Sequence, residues 1–224
     1  MFERIEKIIG KNGFKKLMKV KVLIVGIGGV GGYALEALVR SGVENITIVD
    51  SDKIEKSNIN RQIIATSKTI GLNKCDVAKK RAEEINPKVN IKCFKEFILE
   101  DNIKKLFKSK YDYIIDACDT ISTKVCLIKE SEEKEIKIIS CMGTGNRVDP
   151  TKLSIMDISK TAYDPVAKIM RKLLKDLRIS KKTYVVCSSE KPIKTKDRTP
   201  GSLAIVPATA GMYCSFFVIN DVLK

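Results

Sequence analysis

At 224 residues, with 44% hydrophobic and 31% charged side chains, the chain is long enough to bury a sizeable core within one α/β domain. It carries 42 Lys and Arg against 27 Asp and Glu, a formal net charge of +15, which points to a polyanionic partner. The absence of histidine excludes histidine-ligated zinc and a histidine general base, and the seven scattered cysteines never form a C-x-x-C pair, which fits reduced thiols in a cytoplasmic protein better than a disulfide framework.

Residues 1–19 are charged throughout and lack the apolar core of a signal peptide. Residues 20–25 form a β-branched run that reads as a buried parallel strand, and residues 33–39 have a helical pattern. Between them lies Gly26-Ile27-Gly28-Gly29-Val30-Gly31, in the strand-to-helix context that a phosphate-cradling loop requires. A second strand at 45–49 ends at Asp50, whose carboxylate can accept both hydroxyls of a ribose. These features alone suit NAD and ATP equally. The polar groups that follow decide between them, because Asp50-x-Asp52, Asn58, Arg61, Gln62 and Lys74 supply more donors and cations than a dinucleotide needs. A planar guanidinium and a point-charge ammonium both suit a polyphosphate.

Further along, residues 75–86 read as a helix stopped by Asn86-Pro87, 90–97 as a strand, 101–107 as a helix and 111–115 as a third core strand. Asp119, just beyond, is placed to cap the helix at 120–134. A strand at 136–141 runs into the turn Gly143-Thr144-Gly145. Asp164-Pro165 opens a helix whose Val166, Ile169, Met170, Leu173, Leu174 and Leu177 repeat at core spacing. Lys168, Arg171, Lys172, Lys175 and Arg178 fall largely on the other side, as either a solvated face or a phosphate-backbone surface. Another β-branched run, 184–186, ends at Cys187. Residues 188–202 hold Lys191, Lys194, Lys196 and Arg198 without apolar periodicity and read as a mobile connector or a flap. The uncharged stretch 202–220 is broken by Pro207, Thr209, Gly211 and Ser215, and reads as a buried strand (202–206) and a buried helix (208–223), not a membrane span. The alternation predicts a doubly wound, mainly parallel sheet with a Rossmann-like nucleotide half and its ligand beyond the carboxyl ends of the strands.

The glycine loop, Asp50-Ser51-Asp52, Asn58-x-x-Arg61-Gln62, Gly71-Leu72-Asn73-Lys74 and Asp116-Ala117-Cys118-Asp119-Thr120 together resemble the ubiquitin-activating-enzyme-like (ThiF-type) superfamily, which adenylates carboxylates with ATP. The resemblance implies that Gly26, Gly28, Gly29 and Gly31 cradle phosphate and that Asp50, with Asp52 nearby, holds ribose. It also implies that Arg61 and Lys74 hold phosphates, that Asn58 and Gln62 complete the lining, and that Asp119 binds magnesium. Tetrathiolate zinc, found in many sulfur-carrier-activating relatives, is not expected here.

Residues 140–151, 157–161 and 164–167 further resemble the tRNA threonylcarbamoyladenosine dehydratases. Together the two resemblances cover nearly the whole chain, as one adenylating domain with a nucleotide-binding half (1–150) and a substrate-facing part (151–224). The implied reaction is ATP-dependent cyclisation of threonylcarbamoyladenosine in tRNA through an acyl-adenylate, with adenylation of a sulfur-carrier or ubiquitin-like protein as the alternative. In this reading the basic helix contacts RNA, and a sulfur-relay protein of a cysteine desulfurase system is a further partner. The nucleophile lies within the substrate, so Cys141 and Cys187 are expected to be core residues and not thioester carriers. The segment from Phe2 to Gly10 resembles the superfamily's N-terminal arm, which implies a homodimer whose Arg4 reaches the partner's ATP. The family's preceding arginine is absent, with Met1 near its place; the arm reads equally as a helix covering the sheet edge.

Overall fold

A computed structural model describes residues 1–179, 181–196 and 199–224. Its centre is a sheet built from β1 (Lys21–Val25), β2 (Asn45–Val49), β3 (Asn90–Phe94), β4 (Tyr113–Asp116), β5 (Lys137–Cys141), β6 (Leu153–Asp157) and β7 (Tyr184–Ser188). The strand order among the described residues is β3-β2-β1-β4-β5-β7-β6, and every pair is parallel except β6 with β7. Val22, Leu23, Ile24, Ile114 and Ile115 are fully buried, as expected of central parallel strands covered on both faces.

The helices α1 (Glu3–Lys19), α2 (Gly31–Arg40), α3 (Lys74–Ile85), α4 (Ile121–Glu133), α5 (Pro165–Asp176) and α6 (Ile205–Leu223) cover the sheet. Two apolar clusters, one including Ile24, Leu38, Ile48 and Val218 and the other Leu23, Ile114, Leu127 and Met170, form the core. By length and composition α6 could cross a membrane. One face of it packs into the fold, with Val206, Ala210, Cys214 and Val218 buried and the Ser215 hydroxyl donating to Ala34 O at 3.0 Å, while Ile205, Met212 and Phe216 are exposed, so the expected buried helix is buried on one side only.

The doubly wound, mainly parallel sheet agrees with the pattern in the sequence. Several local expectations do not. Residues 202–206 form no strand: α6 already begins at Ile205, because Pro207 is readily accommodated in a helix's first turn. Residues 101–107 give a 3₁₀ segment at Ile103–Lys108 in place of an α-helix. The antiparallel strand β6 has no counterpart in the sequence pattern; its residues, apart from Leu153, are only half-buried, so it lacks the apolar run of an inner strand. On α5, Met170 and Leu174 are buried, but Ile169 and Leu177 are about half exposed and do not face the core. The stretch 188–202 contains Arg198, which lies outside the described residues.

Candidate nucleotide and substrate cleft

The exits of β1, β2, β4 and β5 open into one cleft of about 690 Å³. Its floor is the glycine loop, which the strand-to-helix turn forces into close contact with the next strand exit. Gly26 has φ 91°, and a Cβ there would lie 2.6 Å from Ala117 O; a Cβ on Gly31 would lie 1.8 Å from Gly26 O. No side chain is tolerated at either position, and the backbone is free to meet a ligand. Gly28 and Gly29 also line the cleft, and no side chain caps α2, whose N-terminus follows the loop.

Asp50 leaves the end of β2 and is held by the backbone. Its Oδ2 accepts from the Ile27 N–H at 2.7 Å, and its Oδ1 from the Asp52 N–H at 2.9 Å. Burial pushes the Asp50 carboxyl above the usual carboxylate range, against the pull of Lys74. Each oxygen retains a lone pair for a hydroxyl. Lys74 begins α3, just after the Asn73 cap, whose side chain accepts from the Cys75 N–H. Its ammonium is buried, 2.7 Å from Asp52 Oδ2 and 3.9 Å from Asp50 Oδ1. A cation at a helix N-terminus is opposed by the helix dipole, so the two carboxylates offset a local cost. The backbone N–H groups of Lys74 and Cys75 are already taken, by Asp52 O at 3.0 Å and by the Asn73 side chain, so the ammonium is the cation this end of α3 offers to the cleft.

Arg61 follows a 3₁₀ turn, Lys56–Asn58. Its Nη1 donates to Ser57 O at 2.9 Å and to Asn60 Oδ1 at 3.1 Å. The lining role expected for Asn58 needs amending. It borders the cleft, but its Oδ1 accepts from the Glu55 N–H at 3.1 Å, so much of its polar capacity goes into shaping the turn that carries Arg61. Gln62 is buried beside the glycine loop, and its Oε1 has no hydrogen-bond partner. A buried amide oxygen left unpaired is costly, and a ligand donor would satisfy it.

Across the cleft, Asp119 is exposed beyond β4, and its Oδ1 accepts from Thr120 Oγ1 at 3.4 Å. Beneath it, Asp116 and Lys124 form a buried ion pair that sequence reasoning missed. Lys124 Nζ lies 3.1 Å from Asp116 Oδ2 and donates to Cys141 O at 2.7 Å, and Ser140 Oγ donates to Asp116 Oδ2 at 2.5 Å. Burial opposes the Lys124 charge, yet Asp116 alongside holds its pKa above the ordinary lysine value. The signal available in the sequence was a Lys near the start of α4, just past the aspartate-rich exit, a residue type that is normally exposed. The second missed group is Arg147, fully buried and paired with Asp164 at 2.8 Å.

The substrate side of the cleft is lined by Met142, Gly143, Thr144, Gly145 and Val166, with residues 199–202 over it. Asn60 Nδ2 donates to Ser202 O at 2.9 Å, and Asn146 Oδ1 accepts from the Gly201 N–H at 2.6 Å, so this segment is tied to the residue before Arg61 and to the turn after Gly145. Cys141 and Cys187 are buried, and burial pushes the Cys187 thiol up to about 12. A thiol held protonated is a poor nucleophile.

The basic face of α5 is reduced by one member. Lys168, Lys172 and Lys175 are exposed on α5, and Arg178 is exposed just past its C-cap, but Arg171 is half-buried and its guanidinium bonds Thr161 O and Thr161 Oγ1, so it braces the segment before α5. Arg4 lies exposed on α1 and is not among the residues lining the cleft.

Residues 3–213 match the sequence model of the ThiF family. Across its whole length the chain is 40% identical to a tRNA threonylcarbamoyladenosine dehydratase of Bacillus subtilis, covering 94% of that protein. It is 33% identical to a protein of the same name from Haemophilus influenzae, again over the whole chain and 93% of the relative. The structure of Escherichia coli tRNA N6-threonylcarbamoyladenosine dehydratase in complex with ATP superposes with a TM-score of 0.94 at 30% identity, covering 99% of this chain and 93% of that one.

Proposed function

The chain belongs to the ThiF family, and from that premise we propose that it is an ATP-dependent enzyme that cyclises threonylcarbamoyladenosine in tRNA. The observation that carries the reading is the cleft: a side-chain-free loop, a buried ammonium at a helix N-terminus and a guanidinium face one cavity. That set neutralises and aligns a polyphosphate. Burial of Cys141 and Cys187 agrees with a reaction that needs no protein nucleophile.

In the proposed reaction the threonyl carboxylate of the modified nucleoside attacks the α-phosphate of ATP. The bond to the β-phosphate breaks, and pyrophosphate leaves with its electron pair. The carbamoyl group then closes on the activated carbonyl and expels AMP, with loss of one proton. Lys74 and Arg61 hold the phosphates, and the glycine loop positions them. The work is alignment and charge stabilisation. Asp119 fits magnesium, since its carboxylate is open to the cleft and Mg²⁺ keeps most of its waters while using one or two carboxylates and substrate phosphates. The ion would supply charge neutralisation between phosphates. Pyrophosphate exchange into ATP, measured with tRNA bearing threonylcarbamoyladenosine and separately with a sulfur-carrier protein, tests the reading. Exchange stimulated only by the tRNA is expected; stimulation by the carrier alone overturns it.

Lys168, Lys172, Lys175 and Arg178 would meet the RNA backbone. Lys168→Glu with Lys172→Glu and Lys175→Glu should weaken tRNA binding and flatten the log–log salt slope by roughly 0.7–0.9 for each phosphate no longer neutralised, leaving ATP affinity unchanged. Filter binding across a salt series checks this; parallel lines of equal affinity return α5 to a solvated face.

The reading extends to a homodimer. Ile205, Met212 and Phe216 form an exposed apolar row on α6, and such a row suits a two-fold self-association; Ile8 is also exposed, on the part of α1 that precedes a break at Gly10. Arg4 on that α1 arm is then free to reach the other protomer's triphosphate. Mixing inactive Arg4→Ala with inactive Lys74→Ala protomers should restore activity, because each hybrid contains one site with both cations. Demonstrated subunit exchange without recovered activity counts against an arm acting in trans.

A further inference from the structure

Tyr163 combines three features that no structural role accounts for. Its ring is 57% exposed, its backbone φ of 58° is left-handed, and Lys191 Nζ lies 5.0 Å from its ring centroid. A bulky aromatic residue in this backbone region is strained and calls for a reason. The other non-glycine residues with positive φ have ordinary ones. Glu135 and Arg178 each follow a helix C-cap, where a left-handed residue closes the last turn, and Asn146 is of a type that tolerates the conformation. Tyr163 instead precedes Asp164, the N-cap of α5. It cannot be the apolar staple that often occupies this position, because the facing residue of the helix is Lys168.

The placement is held from below by one buried guanidinium. Arg147 donates to Asp164 Oδ2 at 2.8 Å, to Ser188 O at 2.8 Å and to Glu190 O at 3.0 Å. The residue after Tyr163 and the residue before Lys191 are thereby tied to the same side chain, so ring and cation are presented together. Neither lines the cleft itself; the link to it runs through Asp164, next in sequence to Tyr163. A Cβ on the cleft residue Gly143 would lie 3.1 Å from Asp164 Oδ2, and Val166, on the first turn of α5, also lines the cleft.

We propose that Tyr163, with Lys191, is a stacking platform for a nucleobase of the single-stranded RNA next to the reacting nucleoside. The inference rests on the tRNA reading above and deepens it. A nucleoside that enters a cleft must leave its stack, and its neighbour then loses a stacking partner. An exposed aromatic ring replaces that partner without regard to base identity, and an adjacent cation adds a contact to the flanking phosphate. Strain at Tyr163 is the cost of presenting the ring outward.

The test uses the full chain and an anticodon stem-loop RNA that carries threonylcarbamoyladenosine, with 2-aminopurine as the adjacent base. With the parent enzyme, binding should quench the 2-aminopurine fluorescence. Tyr163→Phe should keep the quenching and the affinity. Tyr163→Ala should lose the quenching and bind roughly 10-fold more weakly, with ATP affinity and melting temperature unchanged. If Tyr163→Ala quenches and binds like the parent, or if Tyr163→Phe fails as fully as Tyr163→Ala, the platform is wrong. A parent enzyme that does not bind this RNA overturns the tRNA reading and the platform with it; binding without quenching overturns the platform alone.

Discussion

Lys74→Ala should lower adenylation by on the order of 100- to 1000-fold, the range seen when a single preorganised charge or donor is removed from a transition state, while the protein remains folded. The ammonium is buried at the start of α3, where the helix dipole disfavours it and only Asp52 and Asp50 compensate. Such a placement is costly for stability alone and productive for an incoming anion. The fold does not go untouched, because Lys74 is buried and its bond to Asp52 contributes; a loss of about 2 kcal/mol is expected, discounted by the exposure of Asp52. Without Lys74, the Asp50 carboxyl, already raised by burial, loses the main influence drawing it down and rises further. Its ionised form is then lost sooner as pH falls, so nucleotide binding in the variant should weaken toward acid pH earlier than in the parent. Single-turnover AMP formation at saturating ATP, beside a thermal melt, separates the two effects. Turnover near the parent's would remove Lys74 from the phosphate-holding set.

The parallel core and the nucleotide side of the cleft were legible because each has a local cause. A β-branched run such as Val22 to Val25 is buried on both faces wherever it sits, and Gly26 and Gly31 mark backbone positions a side chain cannot occupy. The helix cap at Asp164 is likewise an interaction within one turn, with Oδ1 accepting from the Ala167 N–H at 2.8 Å. What stayed hidden depends on partners distant in sequence. Arg171 has the helical spacing of a free cation, yet it meets Thr161 across the turn before α5. Ile169 and Leu177 continue the apolar rhythm of α5, but both are about half exposed, so the rhythm alone does not mark which positions are covered. Strand β6 pairs only with β7 at the sheet edge, so half of its surface is satisfied by neither alternation nor a continuous apolar run. Asn58 illustrates the mixed case: its position at the site was readable, whereas its use in closing the Glu55 turn was not.

Lys124→Met should be among the most destabilising single substitutions in the chain. The ammonium is 2% exposed and its partner Asp116 is wholly buried, and removing one member of such a pair strands a charge at a cost of about 3–5 kcal/mol. For a domain of this size that corresponds to a fall in melting temperature of roughly 6–20 °C. The stranded Asp116 would keep only Ser140 Oγ and the Cys118 N–H and thiol as donors. Adding Asp116→Asn removes the uncompensated charge, so the double variant should be more stable than Lys124→Met alone. Function should not return with it. Lys124 also donates to Cys141 O and thereby ties the exit of β5 to that of β4, the strands that lead to Gly143 and to Asp119 in the lining of the cleft. With that tie cut, carboxylate and phosphate lose their alignment, and small misplacements are expensive in rate. Stability and AMP formation measured on the single and double variants decide the matter: a Lys124→Met protein as stable as the parent would show that the pair is not holding this part of the fold, and full activity in the double variant would show that the two strand exits keep their spacing without it.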